Sequence, residues 1–344
     1  MPYKETKVYY DGSHFIAIPK TTRPPRKKDR PKPAEEVITI FKEINADIKA
    51  KKTTEIVCQD DSVDAQISPI IEGNTEEILP LHHKKLVKTT KKELFEKLYA
   101  EHRGLTKPKL KNAIIIAMKE YFKTHDEAVS YVNLHLDRKH RNLIARRIRC
   151  VRKANLQDFN YFVTLTYDDK LHDEESFVKR LKGCLKHFSN RKEWRYIGVL
   201  ERSPKNKRLH FHGIFCIPDG TMPELLFEKN DYNVNTRKRQ ITVQNTYFNV
   251  NFGRSDFSEI AGKNDLGEAL GYILKYLEKT GERIVYSKGL SQFFISDIED
   301  RDVVCRVGVE DKKLLLFDDF SCFDEGIVLG KVSTEIIKKL RKSN

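Results

Sequence analysis

The sequence predicts an α+β fold, in which an antiparallel sheet carries flanking helices and follows a basic helical region. Three observations predict it. Residues 196–201 and 209–216 are β-rich runs separated by the turn-forming stretch 203–208, the pattern of an antiparallel hairpin. Leu270, Ile273, Leu274 and Leu277 recur at helical spacing as one apolar stripe. Residues 89–156 have a helical period and end in a dense run of cations: Arg138, Lys139, Arg141, Arg146, Arg147, Arg149, Arg152 and Lys153. A chain of 344 residues has room for one large domain or two modest ones. Its formal charge of +14 fits a polyanionic partner.

The elements follow in order. Residues 1–18 alternate weakly around Asp11-Gly12 and read as a short hairpin. Residues 19–33 are rich in Pro, Lys and Arg, which reads as an extended linker or a basic arm on DNA phosphates. Residues 34–52 read as a helix and 59–77 as irregular polar chain, so 1–85 form an N-terminal arm and linker. In 86–156 a helix through Leu94, Leu98 and Tyr99 turns at Gly104, Pro108 opens a second, and a third begins near Asp126. Two readings stay open there: a helix-turn-helix on duplex nucleic acid, or a basic helix packed on the sheet of the following region.

Residues 157–290 form the next region, which carries the candidate chemistry. In the strand 161–167, Thr164 and Thr166 share one face and Val163 and Leu165 the other, so the hydroxyls contact DNA or orient a site. Helix 175–188 turns Phe177, Val178, Leu181, Leu185 and Phe188 inward. Residues 221–245 read as a polar, basic loop that brings Arg237, Lys238 and Arg239 to DNA, and 247–252 as a strand. Residues 283–289 read as a strand and turn. The tail, 291–344, alternates strand pieces (303–309 and 314–317) with turns and closes in a basic helix at 334–342.

Several classes are excluded. The six cysteines are scattered without a Cys-x-x-Cys pair, which predicts reduced thiols rather than a disulfide framework or zinc finger. No signal peptide opens the chain and no apolar run approaches a membrane span, so the expectation is a cytoplasmic protein without membrane partners. Gly326 to Lys331 is one residue short of a phosphate-binding loop and lacks its Ser or Thr, so any helicase comes from elsewhere.

The chemistry concentrates at His210-Phe211-His212. On a strand the two imidazoles point the same way, and a hairpin closed by 204–207 sets Glu201 opposite His210. Two nitrogens and a carboxylate suit Mn²⁺ or Mg²⁺, and also accept Zn²⁺ or Co²⁺. Tyr272 and Tyr276 lie one helical turn apart, away from the apolar stripe, with Lys275 and Lys279 each three residues beyond a tyrosine. A nearby metal or ammonium favours the phenolate needed for attack.

His210-Phe211-His212 followed by Tyr272-x-x-Lys275-Tyr276, after the strand Tyr161-Phe162-Val163-Thr164-Leu165-Thr166-Tyr167-Asp168, resembles the rolling-circle replication initiators (Rep proteins) of the HUH endonuclease superfamily. The paired tyrosines resemble the two-tyrosine initiators of phages and plasmids. The resemblance covers 160–290 and implies a ferredoxin-like antiparallel sheet holding the histidines, with the tyrosine helix beside it. It also implies a metal-dependent, site-specific single-stranded DNA endonuclease and strand transferase. Metal would be held by His210, His212 and Glu201, and attack would come from Tyr272 or Tyr276 assisted by Lys275. DNA contacts would fall to Thr164, Thr166, Arg208, Lys279 and Lys288. The implied partners are single-stranded or hairpin origin DNA, a host helicase and a DNA polymerase. A relaxase usually carries its tyrosine before the histidines, and a transposase of this superfamily is usually smaller. A non-catalytic DNA-binding regulator is the alternative from another class.

Overall fold

The computed structural model describes residues 3–20, 37–43, 84–203, 207–233, 237–279, 283–307 and 313–344. Contacts divide the chain into two compact units: Met1–Lys27 with Leu136–Asn344, and Lys28–His135. The first unit opens with the expected hairpin, β1 (Tyr3–Tyr10) and β2 (Phe15–Ile18). Its turn uses Gly12 at φ +97°, where a side chain would be strained. The Asp11 carboxylate holds that turn by accepting from the backbone N–H groups of Ser13 (3.2 Å) and His14 (2.9 Å).

In the second unit, β3 (Val37–Glu43) pairs with β4 (Lys84–Thr90), followed by α1 (Lys91–Glu101) and α2 (Lys107–Met118). The helix expected across 34–52 is therefore corrected at 37–43. Val-Ile-Thr-Ile-Phe is β-branched and aromatic, and such residues pack better on a pleated ladder than along a helix. The rest of that stretch, the polar chain at 59–77 and most of the Pro-rich arm lie outside the described residues. Thr90 starts α1 with a capping box, its hydroxyl accepting from Glu93 N–H while the Glu93 carboxylate accepts from Thr90 N–H, both at 3.1 Å. Leu94, Phe95, Leu110, Ile114, Ile115 and Met118 are buried in this unit.

The third helix, α3 (His125–Ala154), is 30 residues long rather than short. Its C-terminal part belongs to the first unit, where Cys150 and Ala154 are fully buried in one cluster with Ile197, Val199 and Ile214. Of the two readings of the basic helix, packing on the catalytic sheet is the one observed for this part.

The first unit continues with β5 (Tyr161–Thr166), α4 (Glu174–Arg191), β6 (Arg195–Arg202), β7 (Leu209–Cys216), β8 (Leu226–Asn233), β9 (Lys238–Asn245), α5 (Thr246–Phe252), β10 (Ser255–Glu259) and α6 (Lys263–Lys279). It ends with β11 (Val285–Tyr286), β12 (Phe293–Ile298), β13 (Val303–Val307), β14 (Lys313–Leu316), β15 (Ser321–Asp324), β16 (Ile327–Lys331), α7 (Thr334–Lys339) and β17 (Lys342–Ser343). A five-stranded antiparallel sheet runs β10-β5-β7-β6-β11, with the His-x-His strand in the middle. A six-stranded sheet runs β13-β14-β2-β1-β12-β17, so the N-terminal hairpin is completed by C-terminal strands. The described start of the N-terminal arm, β1, pairs directly with β12 of the tail.

Two local expectations change. Residues 247–252 are helix, not strand: Asn245 caps α5 by accepting from Phe248 N–H at 3.1 Å, and Phe248 and Phe252 are buried one turn apart. The loop expected at 221–245 contains the two-stranded ribbon β8–β9. The closing helix is shorter than expected and gives way to β17.

The five-stranded sheet has two distinct faces. On one, Val163, Leu165, Phe211 and Phe215 pack with Phe177, Leu181, Leu185 and Phe188 of α4 and Phe248 and Phe252 of α5. On the other, Ile197, Val199 and Ile214 pack with Leu270, Ile273, Leu274 and Leu277 of α6, the predicted stripe. Gly198 and Gly213 pair across β6 and β7 on the α4 face. A Cβ on Gly198 would lie 2.2 Å from Phe211 Cζ, so the ring occupies the space that glycine leaves. Among the described residues no helix is long and apolar enough to cross a membrane.

Candidate active site

The register builds the site. Glu201 faces His210 across β6 and β7, as the hairpin reading required, and Ser203 N–H donates to Arg208 C=O at 2.9 Å to close it. On the other flank β5 sets Thr166 beside His210 and Thr164 beside His212. Both threonines thus meet histidines: Thr164 Oγ1 is 3.0 Å from His212 Nδ1, and Thr166 Oγ1 is 3.1 Å from His210 Nδ1. Their hydroxyls are within hydrogen-bond distance of the rings, the orienting role that was one of the two expected of them.

His212 Nε2 is 2.8 Å from Glu201 Oε2. An ionised carboxylate only accepts, so Nε2 carries the ring proton, Nδ1 accepts, and Thr164 donates. A hydroxyl can rotate to serve the other tautomer equally well, leaving Nε2 available as a ligand. Burial, with His210 nearby, pushes the His212 pKa down to about 3. Burial, then the charges of Arg208 and Arg254, also lowers that of His210. Both rings are therefore held neutral, the form that binds metal.

The tyrosine helix lies on this same face. The Tyr276 ring is nearly parallel to His212, with centroids 5.8 Å apart and 9° between planes. Tyr272 meets His212 edge-on at 4.9 Å and Tyr276 at 5.0 Å. Burial raises the pKa of both phenols. At Tyr276 the hydrogen bond and charge of Tyr272 and the charge and hydrogen bond of Glu201 raise it further. At Tyr272 the hydrogen bond from Tyr276 opposes the rise. The pair stands as neutral phenols, with Glu201 next to Tyr276.

The other candidates separate. Arg208 ion-pairs with Asp169 at 3.8 Å and lies near enough to His210 to shift it. Lys275 is exposed, one helical step of about 100° from Tyr276. Lys288 is not gathered in: Ser287 bonds Tyr196 at the opposite end of β6, five residues from Glu201 or roughly 17 Å at strand spacing. The Lys279 side chain lies outside the described residues. Arg254 was not anticipated; its C=O accepts from Thr166 N–H at 2.8 Å, and its charge reaches His210. Asp256, opposite Thr164 on β10, also shares the histidine face, and burial raises its pKa, with Arg254 opposing and Asp231 adding. Nothing local in the sequence marks either residue, because only the β5–β10 register brings them here.

Two imidazoles and a carboxylate are the right donors for a divalent cation. Two ligands on adjacent positions around an ion with bonds of about 2.1 Å stand about 3 Å apart. The 2.8 Å between His212 Nε2 and Glu201 Oε2 matches that spacing. The His210 ring is 5.9 Å from His212 by centroids, and among the described residues no three His, Cys, Asp or Glu side chains already converge as a metal cage. By donor chemistry His210, His212 and Glu201 suit a divalent cation.

Residues 160–281 match the family model of replication-associated protein ORF2/G2P. The match supports a replication initiator. It runs from the start of β5 to the end of α6 and so contains the threonines, the histidines, Glu201 and both tyrosines. No curated protein and no solved structure matches the chain.

Proposed function

We propose that this replication protein starts rolling-circle replication by nicking and rejoining single-stranded origin DNA through a tyrosine. The observation that carries the reading is the stack of Tyr276 on His212 with Tyr272 against both, in a region matched by a replication-associated family. A phenol oxygen of Tyr272 or Tyr276 attacks the scissile phosphorus, the bond from phosphorus to the 3′ oxygen breaks, and the 3′ oxygen leaves as a hydroxyl carrying the proton that the phenol gave up and Glu201 relayed. The protein keeps the 5′ phosphate as a phosphotyrosine, and the 3′ hydroxyl primes a polymerase. Glu201, hydrogen-bonded to Tyr276, is placed to take the phenol proton. Arg208 and Arg254 supply positive charge beside His210. His210, His212 and Glu201 would hold Mn²⁺ or Mg²⁺, which supplies charge stabilisation at the phosphate when bound. The second tyrosine then cuts the regenerated junction, and rejoining reverses the first transfer.

The reading also places the protein with hairpin or single-stranded origin DNA, a host helicase and a DNA polymerase in the cytoplasm. Its test is a panel of labelled single strands from the neighbouring genome, incubated with Mn²⁺ or EDTA and run on denaturing gels. Wild type should give a covalent, metal-dependent band that Tyr272→Phe/Tyr276→Phe abolishes. Tight binding without any adduct would sink the reading in favour of a DNA-binding regulator.

A further inference from the structure

We infer that the β8–β9 ribbon is an arm that enters the major groove of duplex DNA flanking the strand to be cut. The inference rests on the proposed function above and adds a second, double-stranded site to it. The two strands pair without a break from Leu226↔Asn245 to Asn233↔Lys238, eight residues each. At strand spacing each is about 27 Å long. Its root is fixed: Leu226 and Val243 pack on the sheet core, and Asn245 caps α5.

At the sixth residue of β8, one carboxylate oxygen fixes the ribbon again. Asp231 Oδ2 accepts from Thr242 Oγ1 at 3.0 Å and Gln244 Nε2 at 2.7 Å, and is 2.9 Å from the Arg254 guanidinium. That ion pair neutralises the acid and ties the ribbon to the residue beside His210.

Around this anchor the character changes. Arg237, Lys238, Arg239 and Gln240 are exposed in succession. Tyr232 and Ile241 are 60% and 67% exposed, although ribbon partners could have covered them. Across the ribbon, Tyr232 faces Arg239 and Asn230 faces Ile241. A major groove about 12 Å wide admits a two-stranded ribbon. Arginine and lysine suit guanine edges, Asn and Gln suit adenine, and an aliphatic side chain suits the thymine methyl. Exposed apolar side chains among successive cations fit such a groove, where an acidic protein surface would leave Asn230 without a base edge to read. The tie through Arg254 sets a fixed offset between the duplex in the ribbon and the phosphate at the histidines.

The test measures binding by fluorescence anisotropy in EDTA, using a hairpin whose stem carries the cleavable single strand and, separately, that strand alone. Arg237→Ala/Lys238→Ala/Arg239→Ala should weaken binding of the stemmed probe about tenfold or more and lower its salt slope by about 3, leaving the bare strand within about twofold. The milder Arg239→Gln should show the same selectivity should the triple variant melt early. Equal losses on both probes, or none on the stem, would overturn the inference. Cleavage in Mn²⁺ by the same proteins separates the two readings. A stem preference that depends on the ribbon without any cleavage upholds the arm and sinks the nuclease; cleavage without that preference does the reverse.

Discussion

Replacing Thr164 by valine keeps the β-branched shape and removes only the hydroxyl 3.0 Å from His212 Nδ1. With Nε2–H donating to Glu201, Nδ1 is left as an acceptor with no donor. The His212 side chain is 7% exposed, so water cannot replace the lost partner. A buried acceptor left unsatisfied costs about 1–3 kcal/mol. Thr166→Val removes an equivalent contact at 3.1 Å, but from a half-buried ring that water can reach, so about 0.5–1.5 kcal/mol is expected. Urea unfolding of the pair measures the difference, read from the sole tryptophan, Trp194, which is fully buried with Nε1 donating to Thr221 Oγ1 at 2.9 Å. Cleavage should fall about 10–100-fold in Thr164→Val, the usual loss when a group orienting a ligating histidine is removed. A variant as stable as wild type and cleaving at the same rate would refute this role for the threonine.

Gly198→Ala should destabilise by about 1–3 kcal/mol, because its Cβ falls 2.2 Å from the Phe211 ring; Gly183→Ala, in open space on α4, should stabilise by about 0.5–1 kcal/mol, and thermal melts compare them. Burial pushes the Cys150 and Cys322 thiols up to about 12, so at pH 8 a thiol reagent should label exposed Cys305 and spare both until denaturant is added. The sign for stability follows: a thiol raised on folding contributes fully below its ordinary pKa of 9.0 and loses that contribution as pH climbs to about 12. Cys150→Ala should therefore flatten the fall in urea midpoint over that window. Asp231→Ala should cut selectivity for the stemmed probe about tenfold, as the ribbon loses its anchor to Arg254, and anisotropy checks it.

Much of the site was legible because it is local. The turn at 203–208 is short enough that counting residues sets Glu201 opposite His210, and a two-residue period alone puts His210 and His212 on one face. The α6 stripe was equally plain, but Tyr276, read as lying away from it, sits only about 60° round from Ile273, packs against the same cluster and stacks on His212. What failed depends on distant pairing or near-balanced propensity. Residues 247–252 alternate like a strand, and only the Asn245 cap with the burial of Phe248 and Phe252 makes them a helix. Val37 to Phe41 needs β4, more than forty residues on, to declare itself a strand. Where Lys288 falls was equally hidden in the sequence, because its neighbour Ser287 docks on the end of β6 far from Glu201. Arg254 and Asp256 were missed since strand register alone lays them on the histidine face.

The central claim is that a tyrosine of α6 accepts the DNA phosphate beside His212. The most direct measurement is mass spectrometry of the proteolysed adduct formed with a cleavable single strand in Mn²⁺. The account predicts a phosphonucleotide on the peptide carrying Tyr272 and Tyr276, lost when both are phenylalanine. Cleavage that leaves the strand free and that peptide unmodified would contradict it.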